Sequence, residues 1–141
     1  IKMNEFKNII TSSTEQTYKL GEKFSKNLKP GDIVALIGNL AAGKTSFVKG
    51  ILKGLNYKYE VTSPTFTLIN EYYAKFKVVH VDFYREENII RWNELGFQEM
   101  INSNSIVIIE WADLILDLIP DIDYEFHFEH SGEDKRKIEL K

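Results

Sequence analysis

The sequence predicts an α/β fold in three layers: a mostly parallel central sheet, helices on both faces, and a C-terminal antiparallel hairpin. Three observations predict it. Short β-branched runs, Ile33 to Ile37, Val78 to Asp82 and Ile106 to Glu110, read as buried parallel strands ending at one rim. Amphipathic stretches with helical spacing lie between them. Near the end the pattern changes, and Tyr124 to Phe128 and Lys135 to Leu140 alternate around Ser131-Gly132-Glu133-Asp134, as a hairpin does.

Taken in order, Lys7 to Thr11 forms a short first strand. Ser13-Thr14-Glu15-Gln16 has the capping-box form S-x-x-Q and starts a helix. Leu20, Phe24 and Leu28 recur every four residues and give that helix one apolar stripe. Pro30-Gly31-Asp32 stops it and turns into the first core strand. That strand runs straight into Gly38-Asn39-Leu40-Ala41-Ala42-Gly43-Lys44-Thr45, the P-loop pattern G-x-x-x-x-G-K-T. Gly38 and Gly43 allow the loop to curl so that its N–H groups face an anion. The helix from Ser46 to Leu55 adds its positive end. Lys44 is a point charge for phosphates, and the Thr45 hydroxyl is a Mg²⁺ ligand. Gly38 through Ser46 is therefore the expected nucleotide-binding segment, and the fold is P-loop NTPase-like. An accidental glycine turn would match the bare pattern without the strand before it and the helix after it.

Val61 to Phe66 reads as a loop, Thr67 to Tyr73 and Lys77 to Phe83 as strands joined by Ala74-Lys75-Phe76. Asn88 to Asn102 is broadly helical with an interruption near Gly96, and a short helix ends before Pro120. Asp82 and Glu110 each end an apolar strand, where ligands of parallel sheets bind. Both are candidates to hold Mg²⁺ and to orient the attacking water, and the sequence leaves the two roles unassigned between them. Ser63, Thr65 and Thr67 read either as hydroxyls that sense the γ-phosphate or as a turn satisfied by its own hydroxyls. His80 reads as a packed, hydrogen-bonded histidine, Trp111 as core or partner contact, and Arg85 as an ion-pair partner for nearby glutamates.

With 141 residues, 43% of them hydrophobic, the chain is expected to be a single domain, 1–141. It has no cysteine, which excludes disulfides and thiolate chemistry and fits a cytoplasmic setting. No apolar run approaches the roughly 18 residues of a membrane span, and no signal peptide is expected. Net charge is −3, unevenly spread: residues 92–134 hold eleven acids and no Lys or Arg, whereas residues 1–58 hold ten lysines and four acids. An arginine-rich footprint for nucleic acid is missing. The asymmetry reads either as ordinary solvated faces or as a docking face for a protein partner, with Asp113, Asp117 and Trp111 in it.

These residues together resemble the TsaE family, the bacterial P-loop ATPases of tRNA threonylcarbamoyladenosine synthesis. The family pattern, a P-loop followed by S-P-T-F-T-L, E-Y, H-x-D-x-Y-R, L-G-x-x-E and I-E-W, is met in order. Here it is Gly38 to Thr45, Ser63 to Leu68, Glu71-Tyr72, His80 to Arg85, Leu95 to Glu99 and Ile109 to Trp111. Asn39 and Ala41 depart from the family's usual Asp and Gly and put turnover in question more than binding. The resemblance implies a Mg²⁺-dependent ATPase, slow alone. It would reset a complex of a threonylcarbamoyl transferase and its inactive paralogue between rounds, meeting tRNA only through that complex and touching no membrane. By the same resemblance Lys44 and Thr45 hold phosphate and Mg²⁺, Asp82 and Glu110 flank the metal, and Ser63 to Thr67 is a switch-like loop. A small-molecule P-loop kinase is the alternative, although only Arg85, Arg91 and Arg136 are present for an arginine-bearing lid. A GTPase lacks its N-K-x-D signature here, and a non-enzymatic nucleotide-gated module shades into the first reading.

Overall fold

The computed structural model describes residues 6–38, 43–61, 69–82, 94, 96–101, 104–110, 119, 121–132 and 135–141. Among these, seven strands form one sheet: β1 Ile9–Thr11, β2 Ile33–Gly38, β3 Ile69–Tyr73, β4 Lys77–Asp82, β5 Ile106–Glu110, β6 Tyr124–His130 and β7 Arg136–Leu140. The helices are α1 Thr14–Phe24, α2 Lys44–Gly54 and α3 Phe97–Ile101. None among the described residues is long and apolar enough to cross a membrane. The expected short helix ending at Leu118 and the Ser63 to Thr67 loop lie outside the described residues.

The strand order is β1-β7-β6-β2-β5-β4-β3. The four central strands β6, β2, β5 and β4 are parallel. Both edges are antiparallel, β3 on β4 at one side and β7 and β1 beyond β6 at the other. The sheet is thus parallel where the three predicted core strands lie and mixed overall. The physical reason is connection length. Three residues, Ala74 to Phe76, join β3 to β4, whereas a parallel crossover needs a dozen or more.

Because both faces of the central strands are buried, alternate residues feed two cores. Val34, Leu36, Val78, Ile106 and Ile108 pack under α1 and α2 with Phe126, Phe128 and Ile138. Ile33, Ala35, Val79, Val81, Val107 and Ile109 pack on the other face with Ile101 of α3 and with Ile119. Phe24 is the hub of the first core. Its ring meets Phe6, Tyr124 and Phe126 edge-on, with centroids 5.4, 5.0 and 4.7 Å away, and stacks on Phe47 at 5.9 Å.

The expected stripe reaches the first core, in which Phe24 and Leu28 are buried and against which Leu20 packs, but the inner face of α1 carries small residues as well. Thr17, Gly21 and Phe24 are its buried residues, Leu20 is half-buried, and Leu28 is buried only after a 3-10 turn at Ser25–Asn27 has ended the helix. The cause is the nearness of α2. A Cβ added to Gly21 would strike the Phe47 carbonyl, one on Gly50 the Tyr18 carbonyl, and one on Gly54 the Ser25 hydroxyl. The two helices approach so closely that only small side chains fit at these contacts. The N-cap is as expected in its first half: Ser13 Oγ accepts from Gln16 N at 3.1 Å. The return bond shifts by one residue, with Ser12 N rather than Ser13 N donating to Gln16 Oε1 at 2.6 Å. At the turn into β2, Gly31 has φ +97°, and Asp32 accepts from both Lys29 N and Lys29 Nζ, at 3.0 and 2.9 Å.

In an isolated helix Gly→Ala is favourable by up to about 1 kcal/mol. Here Gly50→Ala should instead destabilise the protein by about 1–3 kcal/mol, because the methyl group would force α1 and α2 apart. Urea unfolding of the variant checks this sign.

Candidate active site at the carboxyl rim

The parallel register brings the carboxyl ends of β2, β5 and β4 level. Leu36 pairs with Glu110 and Glu110 with Asp82. Gly38 ends β2 with φ +147°, and a Cβ there would strike the Phe128 carbonyl of β6. After Asn39, Leu40, Ala41 and Ala42, which lie outside the described residues, Gly43 re-enters in the left-handed conformation at φ 94°, ψ 10°. It serves as the N-cap of α2 and brings no side-chain acceptor. As a glycine it lends no side chain to the first-turn amides of Lys44, Thr45 and Ser46 at the positive end of the helix. Thr45 and Ser46 are half-buried beside them.

Lys44 is 2% exposed. Its Nζ donates to the Gly38 carbonyl at 2.7 Å, tying the start of the loop to the helix that follows it. Glu110, 6% exposed, accepts a hydrogen bond from His80 Nε2 at 2.6 Å. Burial, the largest influence on Glu110, pushes its carboxyl up. The His80 hydrogen bond, the His80 charge and the Lys44 charge together outweigh it, so the group ends below the ordinary carboxylate range. Lys44 is thus close enough for Glu110 to feel its charge. Asp82, half-buried, is the register neighbour of Glu110 on the next strand. Tyr72 is pushed up by burial and, to a lesser degree, by Tyr57 and Glu110. No group of three or more His, Asp or Glu side chains forms a metal cage among the described residues. A Mg²⁺ ion needs none, since one or two carboxylates with a hydroxyl and phosphate oxygens satisfy it. Thr45, Asp82 and Glu110 are the residues at this rim that could supply such donors.

The family model of the threonylcarbamoyl adenosine biosynthesis protein TsaE matches residues 11–138. The chain belongs to the TsaE family. The TsaE of Aquifex aeolicus, described as a tRNA threonylcarbamoyladenosine biosynthesis protein, is 38% identical over 143 residues, covering 98% of each chain. The Bacillus subtilis TsaE is 36% identical over 129 residues, covering 91% of this chain and 80% of the relative. The crystal structure of Bacillus subtilis YdiB superposes with a TM-score of 0.77 at 31% identity, over 94% of this chain and 82% of that one.

Within this TsaE-family fold the predicted residues Gly38, Gly43, Lys44, Thr45, Ser46, Asp82 and Glu110 come from three strands and one helix to a single rim. Arg85, Trp111, Asp113 and Asp117 lie outside the described residues. His80 is the packed histidine expected, and it has a second role as the donor to Glu110. Asn70, its cross-strand neighbour on β3, shares its face of the sheet. Asn70 Nδ2 and His80 Nδ1 are both buried without a hydrogen-bond partner among the described residues.

Two further groups at the rim escaped the sequence reading. A Cβ on Gly43 would lie 3.4 Å from Thr17 Cγ2 and 3.7 Å from Arg136 Cγ. Thr17 Oγ1 donates to the Ser13 carbonyl at 3.2 Å, which leaves Thr11 as donor in their buried 2.7 Å hydroxyl pair. Thr11 pairs with Arg136 because β1 lies against β7. No spacing along the chain announces that meeting, and only the pairing of its two ends creates it.

His80→Ala should leave the Glu110 carboxylate buried without its main partner and cost about 2–3 kcal/mol at neutral pH. The direction with pH follows. With its pKa lowered, Glu110 stabilises the native protein above the carboxylate range, and this is lost as pH falls through the lowered value. Without His80, burial outweighs Lys44 and reverses the contribution. The stability gap between the two proteins should widen as pH rises from about 4 to 7, which urea unfolding at several pH values checks.

Proposed function

We propose that this rim binds and hydrolyses ATP with Mg²⁺, and that the chain serves tRNA threonylcarbamoyladenosine biosynthesis by resetting a threonylcarbamoyl transferase complex between rounds. The observation that carries the reading is Lys44, buried, bonded to the Gly38 carbonyl across the loop and electrostatically coupled to Glu110. A buried ammonium at the positive end of a helix that opens on a glycine is a prepared anion site. The pathway assignment comes from the relatives described as acting in that synthesis.

In this reading Lys44 gives up the Gly38 carbonyl and donates to phosphate oxygens, joined by the amides of Lys44, Thr45 and Ser46. Thr45 with Asp82 or Glu110 would hold Mg²⁺, which supplies charge neutralisation on the phosphates when bound. The other carboxylate accepts a hydrogen bond from the attacking water and aligns it. His80 keeps Glu110 ionised and fixed in direction for either task. The products are ADP and phosphate.

Lys44→Ala should abolish ATP binding in isothermal calorimetry, since the phosphates lose the one side-chain cation of the motif. Asp82→Asn and Glu110→Gln should spare binding and slow hydrolysis by about 10²-fold or more. Parent-like turnover in both variants would remove them from the chemistry.

The chain has three arginines, Arg85, Arg91 and Arg136, a thin supply of cations for a transition state. A partner that orders the loop or lends a positive group would complete the site. Adding the transferase and its inactive paralogue should therefore raise ATP turnover at least about tenfold, some 1.4 kcal/mol off the barrier. Equal turnover with and without the pair, with the complex shown to form, would overturn the resetting role.

A further inference from the structure

Away from the rim, α1, α2 and the segment after α2 enclose a groove of about 1300 Å³. Six lysines line it: Lys19, Lys23 and Lys26 from α1 and its 3-10 turn, Lys49 and Lys53 from α2, and Lys58 beyond. Glu22 and Glu60 are the acids in the lining. This concentration of positive charge stands on a chain of net charge −3. Lys19 and Lys23 are four residues apart on α1, as are Lys49 and Lys53 on α2, so each pair shares one helix face. Lys19 also pairs with Glu15 at 3.7 Å; like charges at that spacing mildly destabilise a helix, and an anion lying in the groove would relieve the repulsion between Lys49 and Lys53.

The groove also has a built aromatic wall. Tyr72, in the core, meets Tyr57 edge-on at 5.1 Å, and Tyr57 meets Tyr59 edge-on at 5.7 Å. Tyr59 is 76% exposed. The ladder runs from core to surface and orients a ring that adds little to the core. Cations that track a phosphate backbone, together with a flat ring left open for a base, are the two parts of a single-strand nucleic-acid surface. An acidic polypeptide would use the lysines and leave the ring idle.

We propose that this groove binds single-stranded RNA, with backbone phosphates along the two lysine rows and a base stacked on Tyr59. The inference is independent of the nucleotide reading of the rim, and an exposed loop of tRNA would supply such a strand.

The test is fluorescence anisotropy of a fluorescein-labelled single-stranded RNA of about twelve nucleotides, titrated with the full chain. Saturable binding is expected, weakening with log salt at a slope of about −3 as four or so phosphates are neutralised. Tyr59→Ala should weaken binding about tenfold. Lys49→Glu with Lys53→Glu should weaken it at least about tenfold and flatten the salt slope. If that double variant loses its cooperative melt, Lys26→Gln with Lys58→Gln takes its place, with the same direction expected. The groove variants should keep ATP affinity and Lys44→Ala should keep RNA affinity, which separates failure here from failure at the rim. Absence of saturable binding, or binding indifferent to Tyr59→Ala, overturns the proposal. Displacement of the RNA by polyglutamate at equal affinity also overturns it and assigns the groove to an acidic protein segment.

Discussion

Lys44 carries an ammonium group into a place that water barely reaches. A charge so placed costs several kcal/mol unless the surroundings answer it, and the rim supplies the answers. The Gly38 carbonyl turns inward to accept its proton. Glu110 ends β5 near it and stays ionised, and His80 reaches across from β4 to hold that carboxylate. Each answer requires strands that end level, which requires the parallel register of β2, β5 and β4. The glycine contacts between α1 and α2 then set where α2 begins, and so where Lys44 enters.

Much of this was legible in the sequence because it rests on local chemistry. β-branched runs can bury both faces only inside a covered sheet, so β2, β4 and β5 were readable as strands, and their terminal acids as neighbours at one rim. The P-loop spacing carries its own geometry. Ser13 was readable as a cap because its hydroxyl serves an amide three residues on. What was not legible depends on meetings between distant segments. On α1 the apolar stripe is legible, but Gly21, the residue on which α2 lies, has no hydrophobicity to register. Thr11, Thr17 and Arg136 met only once β1 had paired with β7. The mixed character of the sheet followed from a three-residue connection whose meaning lies in what it cannot span.

Charge shows the same division between local and assembled information. Summed along the chain, it describes an acidic protein with no basic footprint. Folding sorts that sum. Six lysines from two helices and a following segment gather around one groove, against two acids, Glu22 and Glu60, in its lining. The two sites share α2: Lys44 opens it at the rim, and Lys49 and Lys53 line the groove. Eleven residues of helix span only about 16 Å, so the two sites are close neighbours joined by a rigid element.

The strand order has a consequence for how the chain comes into being. β2 holds the start of the P-loop, yet its neighbours in the sheet are β5 and β6, made long after it. A nascent chain that has reached residue 105 carries the whole loop and α2, but has neither strand that will flank β2. Phe24 and Phe47 then lack Tyr124 and Phe126, the rings that close their core. Early segments must wait on late ones, a topology that makes folding slow and leaves apolar surface open meanwhile. The base of the loop at Gly38 gains its flanking strands only after the chain has been made through His130.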